Sequence, residues 1–231
     1  MRNSQRILAE LRKQIIEAGR RAYEKGYVAS NDGNMSARLN KKKILITPSG
    51  VSKGFMKTGD LIIVDLQGRK INGSKKPSSE SNMHLQIYKD RPDVNGICHF
   101  HPPYATAFAV AGIPLNNKIL PEVIISLGSV PLIEYATTGT AGLYEKISAY
   151  VKDYDAFLLA NHGAVTVGTS IFNAYYKMET LEHAAMIQFL ALRLGNTNRL
   201  SDEQIQELIN LREKFGIRKD IGINQPNEKK E

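Results

Sequence analysis

The chain has 231 residues, 42% of them hydrophobic and 23% charged. That balance fits an ordinary globular protein with enough apolar residues to fill a core, and no apolar run approaches the roughly 20 residues of a membrane span. The formal net charge of +8 is concentrated in residues 1–76, which carry 17 Lys and Arg against 6 Asp and Glu. A basic third of this kind suits an anionic partner, but the basic residues are not interleaved with aromatics and no nucleic-acid motif accompanies them, so solvated surface lysine or a small anion explains them better.

In chain order, Ile7, Leu8, Leu11, Ile15, Ala18, Ala22 and Tyr23 recur at helical spacing, which predicts an amphipathic helix over residues 4–25, stopped near Gly26. Its mixture of charges and aliphatics reads as mature structure rather than as a signal peptide. "SNDGNMSARL" reads as a polar turn and a short strand. "KKILITPSG" is a strand ended by Pro48 and Gly50, and "DLIIVDLQGRKINGS" a hairpin turning at Gln67–Gly68. "SSESNMHLQIYKD" opens with cap-competent serines and continues as a helix to about Lys89. "VNGICHF" is a buried strand and "PPYATAFAVAG" a helix with proline in its first turn. "GSVPLIEYA" and "AFLLANHG" are further strands, separated by a helix around residues 140–152. "SIFNAYYKMETLEHAAMIQFLALRLG" is a long helix, and "SDEQIQELINLREKFG" a last one with Ser201 as its N-cap. Central strands with helices around them predict a single mixed α/β domain over residues 1–217 and a flexible tail over 218–231. The single cysteine, Cys98, excludes an internal disulfide and fits a reducing, cytoplasmic compartment.

Three of the five histidines sit at predicted strand ends. Side chains two apart on a strand share a face, so His99 and His101 can converge on one ion, as zinc requires of its ligands. They fit equally a pair of hydrogen-bonded strand-end histidines. His162 closes a second apolar strand, and Gly163 after it allows a sharp exit. His84 follows Glu80 by one helical turn, a spacing open to metal ligation or to simple hydrogen bonding within a helix. His183 has no ligand-type partner at useful spacing and reads as structural. Cys98 alternates with the two histidines and should face the core. "GNMSARL", "TPSG" and "KPSSES" offer backbone amides and small hydroxyls of the kind that hold phosphate, although turn chemistry accounts for each one taken singly. Glu80, directly after those serines, can be a ligand, a general base, or a favourable first-turn charge.

Taken in order, "GNMSAR", "ITPSG", "PSSE", "HFHPPYATAFA", "YATTGT" and "LLANHGAVTVG" resemble the class II aldolase/adducin family, over nearly the whole chain to about Gly216. The resemblance implies one α/β domain, a homotetramer with active sites between subunits, and zinc-assisted cleavage or rearrangement of phosphorylated ketoses. It casts His99, His101 and His162 as the zinc ligands and Glu80 as the acid/base that also ligates the metal. Asn34, Ser49, Gly50, Ser78 and Ser79 match the phosphate-binding positions. Adducin-like members without catalysis lack the zinc set, which this chain keeps. At two active-site tyrosine positions of the fuculose-phosphate-cleaving members the chain carries Glu122 and Phe215. The implied reaction is reversible cleavage of a ketose 1-phosphate to dihydroxyacetone phosphate and an aldehyde, with Glu122 as a candidate second proton donor. Methylthioribulose-1-phosphate dehydratase and pentulose-phosphate 4-epimerase are the rivals on the same scaffold.

Overall fold

A computed structural model describes residues 2–116, 118–137, 140–195, 197–217 and 222. Helix α1 (Arg2–Glu24) buries Ile15, Ala18 and Ala22 and stops at Gly26, whose φ of +71° is the left-handed conformation that glycine adopts freely. Strands β1 (Asn34–Asn40), β2 (Lys43–Ile46), β3 (Ile62–Asp65) and β4 (Lys70–Asn72) form an antiparallel meander. The β3–β4 turn is at Gly68 as predicted, and the Asp65 carboxylate accepts from the amides of Gln67 and Arg69. Helix α2 (Ser81–Asp90) then crosses to β5 (Gly96–Phe100), which is buried along its whole length. Helices α3 (Pro103–Val110) and α4 (Pro121–Ser126), strand β6 (Leu132–Ile133) and helix α5 (Ala141–Val151) follow. The chain continues through β7 (Ala156–Leu159), β8 (Gly163–Gly168), α6 (Ile171–Leu194) and α7 (Asp202–Leu211). The Ser201 hydroxyl accepts from the Gln204 amide and caps α7 as predicted.

Among the described residues these strands make one sheet in the order β4-β3-β2-β1-β5-β8-β7-β6, antiparallel except between β6 and β7. Alternation sends Met35, Ala37, Leu45, Cys98 and Phe100 to the face covered by α1, α3 and α6. Ile44, Ile46, Ile97, Val165 and Val167 go to the face covered by α2 and α5. Cys98 is therefore a core residue, on the opposite face from His99, as its spacing required.

Three features depart from the sequence reading. "GAVTVG" is strand β8, and its glycine at each end hid it as loop. Pro121 opens a short helix, α4. Helix α2 is capped by Glu80, and Ser78 and Ser79 lie in the loop before it. The proposed tail falls outside the described residues except for Gly222, which donates to the carbonyl of Asp153 and accepts from the Ser129 amide.

Candidate metal and phosphate site

The site forms where β1, β5 and β8 lie side by side and α2 begins. Residues Asn34 and His99 are direct partners across the β1–β5 ladder, so the end of β1 delivers an amide next to the first histidine. The chain leaves β5 at His101, whose amide donates to the carbonyl of Tyr27, and Pro102 turns it into α3. The Glu182 carboxylate of α6 accepts from the amides of Tyr104 and Ala105 at 2.9 and 2.8 Å, closing the exposed N-terminus of that helix from across the core. His162 sits in the tight turn joining β7 to β8, after Asn161 at φ +58°. It is thus a hairpin residue rather than the free strand end expected. Gly163 is required beside it: a Cβ there would lie 2.6 Å from both the His101 ring and the carbonyl oxygen of Phe100.

The metal-type nitrogens of His99, His101 and His162 lie within 4.8 Å of one another. His99 Nδ1 is 3.0 Å from the carbonyl oxygen of Ala164, which can only accept, so Nδ1 carries a hydrogen and the neutral ring turns the lone pair of Nε2 into the cluster. That Nε2 faces His162 Nε2 at 3.3 Å and Glu80 Oε2 at 3.2 Å. Glu80 Oε1, 3.6 Å from His162 Nε2, and His101 Nε2 are buried without a hydrogen-bond partner. Three converging imidazoles and a carboxylate, with two unsatisfied buried atoms among them, fit a divalent cation. The electrostatics agree. Burial pushes His101 down to about 3 and His162 to about 4, each helped by its neighbour His99, so both rings stay neutral. Burial raises Glu80, but positive charge on the histidine cluster, His99 foremost, and the Asn34 hydrogen bond outweigh it and hold the carboxyl well below its usual range, while Glu80 in turn raises His99.

The phosphate-type residues line the same cavity, of about 260 Å³, with Asn34, Ser49, Gly50, Ser78, Ser79, Glu80, His101 and His162 in its wall. A bridge between Pro48 and Pro77 brings "TPSG" and "KPSSE" together, with the Ser49 amide bonded to the Lys76 carbonyl and the Ser78 amide to that of Thr47. Gly50, at φ +71°, turns the first loop toward the cavity. Lys53 is one of the basic residues of the N-terminal third, which the sequence leaves open to solvated surface lysine or to a small anion. It is 2% exposed, lines the cavity, and donates from Nζ to the carbonyls of Asn31 and Val51 at 2.7 Å each, tying the two loops together. Burial lowers it from 10.5 to about 8, partly opposed by the charge of Asp32. Asn34 is already committed: Nδ2 donates to Glu80 and Oδ1 pairs with His84, which leaves one N–H of Nδ2 beyond these bonds.

Other expectations fare differently. His84 is fully buried and both its ring nitrogens are hydrogen-bonded, to Ser36 and Asn34, so the Glu80–His84 pair is not a ligand pair. His183 is exposed on α6. Glu122 is exposed in the first turn of α4 and Phe215 is 65% exposed, and neither lines this cavity.

Residues 13–189 match the family described as "Class II Aldolase and Adducin N-terminal domain". The chain is 38% identical over 173 residues to L-fuculose phosphate aldolase of Methanococcus maripaludis strain C5, covering 75% of this chain and 92% of that protein. It is 34% identical over 200 residues to 3-oxo-tetronate 4-phosphate decarboxylase of Haemophilus influenzae, covering 85% and 94%. A solved L-fuculose 1-phosphate aldolase superposes with a TM-score of 0.82 at 32% identity, covering 90% of this chain and 97% of that one. With a match this long on the fold that gathers the three histidines, the chain belongs to the class II aldolase/adducin family.

Proposed function

We propose that the chain is a zinc-dependent lyase that cleaves a ketose 1-phosphate to dihydroxyacetone phosphate and an aldehyde, reversibly. The observation that carries this reading is the sharing of one cavity by His99, His101, His162 and Glu80 with the serine and glycine loops. A divalent cation held by these residues supplies Lewis-acid polarisation of the substrate carbonyl and offsets the charge that develops as the carbon–carbon bond breaks. Ser49, Gly50, Ser78 and Ser79, over the buried cation of Lys53, hold the phosphate, and so fix the reacting carbons relative to the histidines. Glu80, ionised and acceptor-only, removes the proton from the carbon next to the carbonyl in the condensation direction and, once protonated, returns it in cleavage. Glu122 lies outside its own chain's cavity, so a proton donated from it to the aldehyde oxygen must enter the cavity of an adjacent copy, which suits a homotetramer with interface sites.

A second reading is favoured by the decarboxylase of Haemophilus influenzae among the relatives. Loss of carbon dioxide from a 3-oxo-tetronate 4-phosphate, with uptake of one proton at the vacated carbon, leaves the same phosphorylated triose. The electrophile that departs differs; the fragment left on the protein does not. The test is a panel of 1-phosphates of fuculose, rhamnulose, 5-deoxyribulose, methylthioribulose and xylulose, together with 3-oxo-tetronate 4-phosphate. Dihydroxyacetone phosphate accompanied by an aldehyde supports the aldolase, and accompanied by carbon dioxide the decarboxylase. Turnover without that triose points to dehydratase or epimerase chemistry, and bound metal without turnover to an adducin-like role.

A further inference from the structure

Glu80 caps α2 by position only, since its side chain makes no cap bond. It is held from the sheet instead, by Asn34 Nδ2 at 2.7 Å, and behind Asn34 stands a row of buried groups. His84 Nε2 is 2.6 Å from Asn34 Oδ1. On the other side of that ring, His84 Nδ1 is 2.6 Å from Ser36 Oγ, and Ser36 Oγ is 3.0 Å from the Tyr88 hydroxyl. Asn34, Ser36, His84 and Tyr88 are all buried, none more than 3% exposed. The row arises from two periodicities meeting. Asn34 and Ser36 are two apart on one face of β1; Glu80, His84 and Tyr88 are four apart along one face of α2. Each strand residue falls between two helix residues.

The hydrogens can be assigned from one end. An ionised Glu80 only accepts, so the Asn34 amide must turn its NH2 group toward it and its Oδ1 toward His84. His84 must therefore carry hydrogen on Nε2. Burial keeps the ring neutral, so Nδ1 accepts from the Ser36 hydroxyl, which in turn accepts from Tyr88. Every donor meets an acceptor, and only one direction is consistent. In the other tautomer the lone pair of Nε2 would oppose Asn34 Oδ1. The amide would rotate and set its oxygen against the carboxylate, an arrangement with high cost in a buried network.

We propose that His84 is a positioning residue: with Nε2–H donating to Asn34 and Nδ1 held by the Ser36 hydroxyl, it fixes the Asn34 amide so that its NH2 group aims the Glu80 carboxylate. The proposal rests on the reading of Glu80 as the acid/base, and it adds Ser36 and His84 to the residues on which turnover depends.

Long-range proton–nitrogen correlation on the uniformly labelled, zinc-loaded protein reads the tautomer directly. The expected signal at His84 is a protonated Nε2 and an unprotonated Nδ1. Ser36→Ala, a small change that keeps the fold, removes the donor to Nδ1 and leaves the Nε2–H form in place but less firmly held; it should speed solvent exchange of the Asn34 side-chain NH2 and lower kcat by more than about tenfold with KM within about twofold. His84→Gln, which can still donate toward Asn34, should retain more kcat than His84→Leu. A protonated Nδ1 in the unmodified protein would overturn the proposal, as would a Ser36→Ala protein with faster Asn34 NH2 exchange and unaltered kcat. The tautomer and the Asn34 amide are read without substrate. Failure to turn over any sugar phosphate would thus count against the proposed function alone, and the proposal would then be decided by those two signals.

Discussion

His99 Nε2 and His162 Nε2 point at each other across 3.3 Å, brought there from a strand and a hairpin turn 63 residues apart in sequence. Two imidazole lone pairs repel at that distance unless a proton or a cation lies between them. The Ala164 carbonyl occupies the Nδ1–H of His99, and burial keeps the His162 ring neutral at about 4. A shared cation satisfies both nitrogens, Glu80 and His101 at once.

Removing the carboxylate separates chemistry from binding. Glu80→Gln keeps the size and a carbonyl oxygen for Asn34 Nδ2 but loses the base. Turnover should fall by at least about a hundredfold while zinc remains partly bound, because the three histidines persist. Near-native turnover of the variant at saturating zinc would exclude the acid/base role.

Gly163→Ala tests whether the hairpin places the ligands. The added Cβ meets the Phe100 carbonyl oxygen and the His101 ring at 2.6 Å each, and the backbone oxygen cannot swing aside as a side chain can. His101 must move, so metal affinity in a chelator competition should drop by about tenfold or more, within the range set by disturbed ligand support. Unchanged affinity would mean that the turn relaxes without moving the ligand.

Lys53 gives the site a pH dependence. Its folded value of about 8 lies below the unfolded 10.5, so it loses its proton as pH rises through about 8 and the cavity loses a cation. KM for a sugar phosphate should therefore climb above pH 8 in the unmodified protein, and start higher and stay flatter in Lys53→Met. Stability runs the other way. Between about 8 and 10.5 the unfolded chain binds the extra proton, so the unmodified protein gains stability relative to Lys53→Met as pH rises across that window. Parallel KM profiles for the two proteins would remove Lys53 from the binding account.

Glu182→Ala should destabilise by roughly 2–3 kcal/mol in denaturant unfolding, because it strips charge-assisted hydrogen bonds from the first turn of α3 and leaves buried amides unpaired. Glu182→Gln, which keeps one acceptor oxygen, should lose less. A Glu182→Gln protein as stable as the unmodified one would show that neither the charge nor the second acceptor oxygen contributes.

The site was legible in the sequence to the extent that its geometry is local. His99 and His101 are two apart on one strand, and serines and glycines announce their loops, so the likeness to known motifs could locate them. His84 was not legible as a network residue, because its partners Ser36 and Asn34 are 48 and 50 residues away and reach it only through the packing of α2 on β1. Lys53 looks like any surface lysine until the loops fold over it, and Glu182 reads as one more acid on a long helix. Strand β8 went unread because glycines bound a short apolar run that sequence alone cannot tell from loop. Decarboxylation did not suggest itself from the motifs either, since it needs the same ligands and the same phosphate loops as aldol cleavage.

The most direct test of the central claim is dihydroxyacetone phosphate release from the substrate panel, measured with metal content before and after chelation. Near-stoichiometric divalent metal, with release that a chelator abolishes and zinc restores, is the result expected. Release that survives complete removal of metal, or a protein that takes up no divalent metal at all, would contradict it.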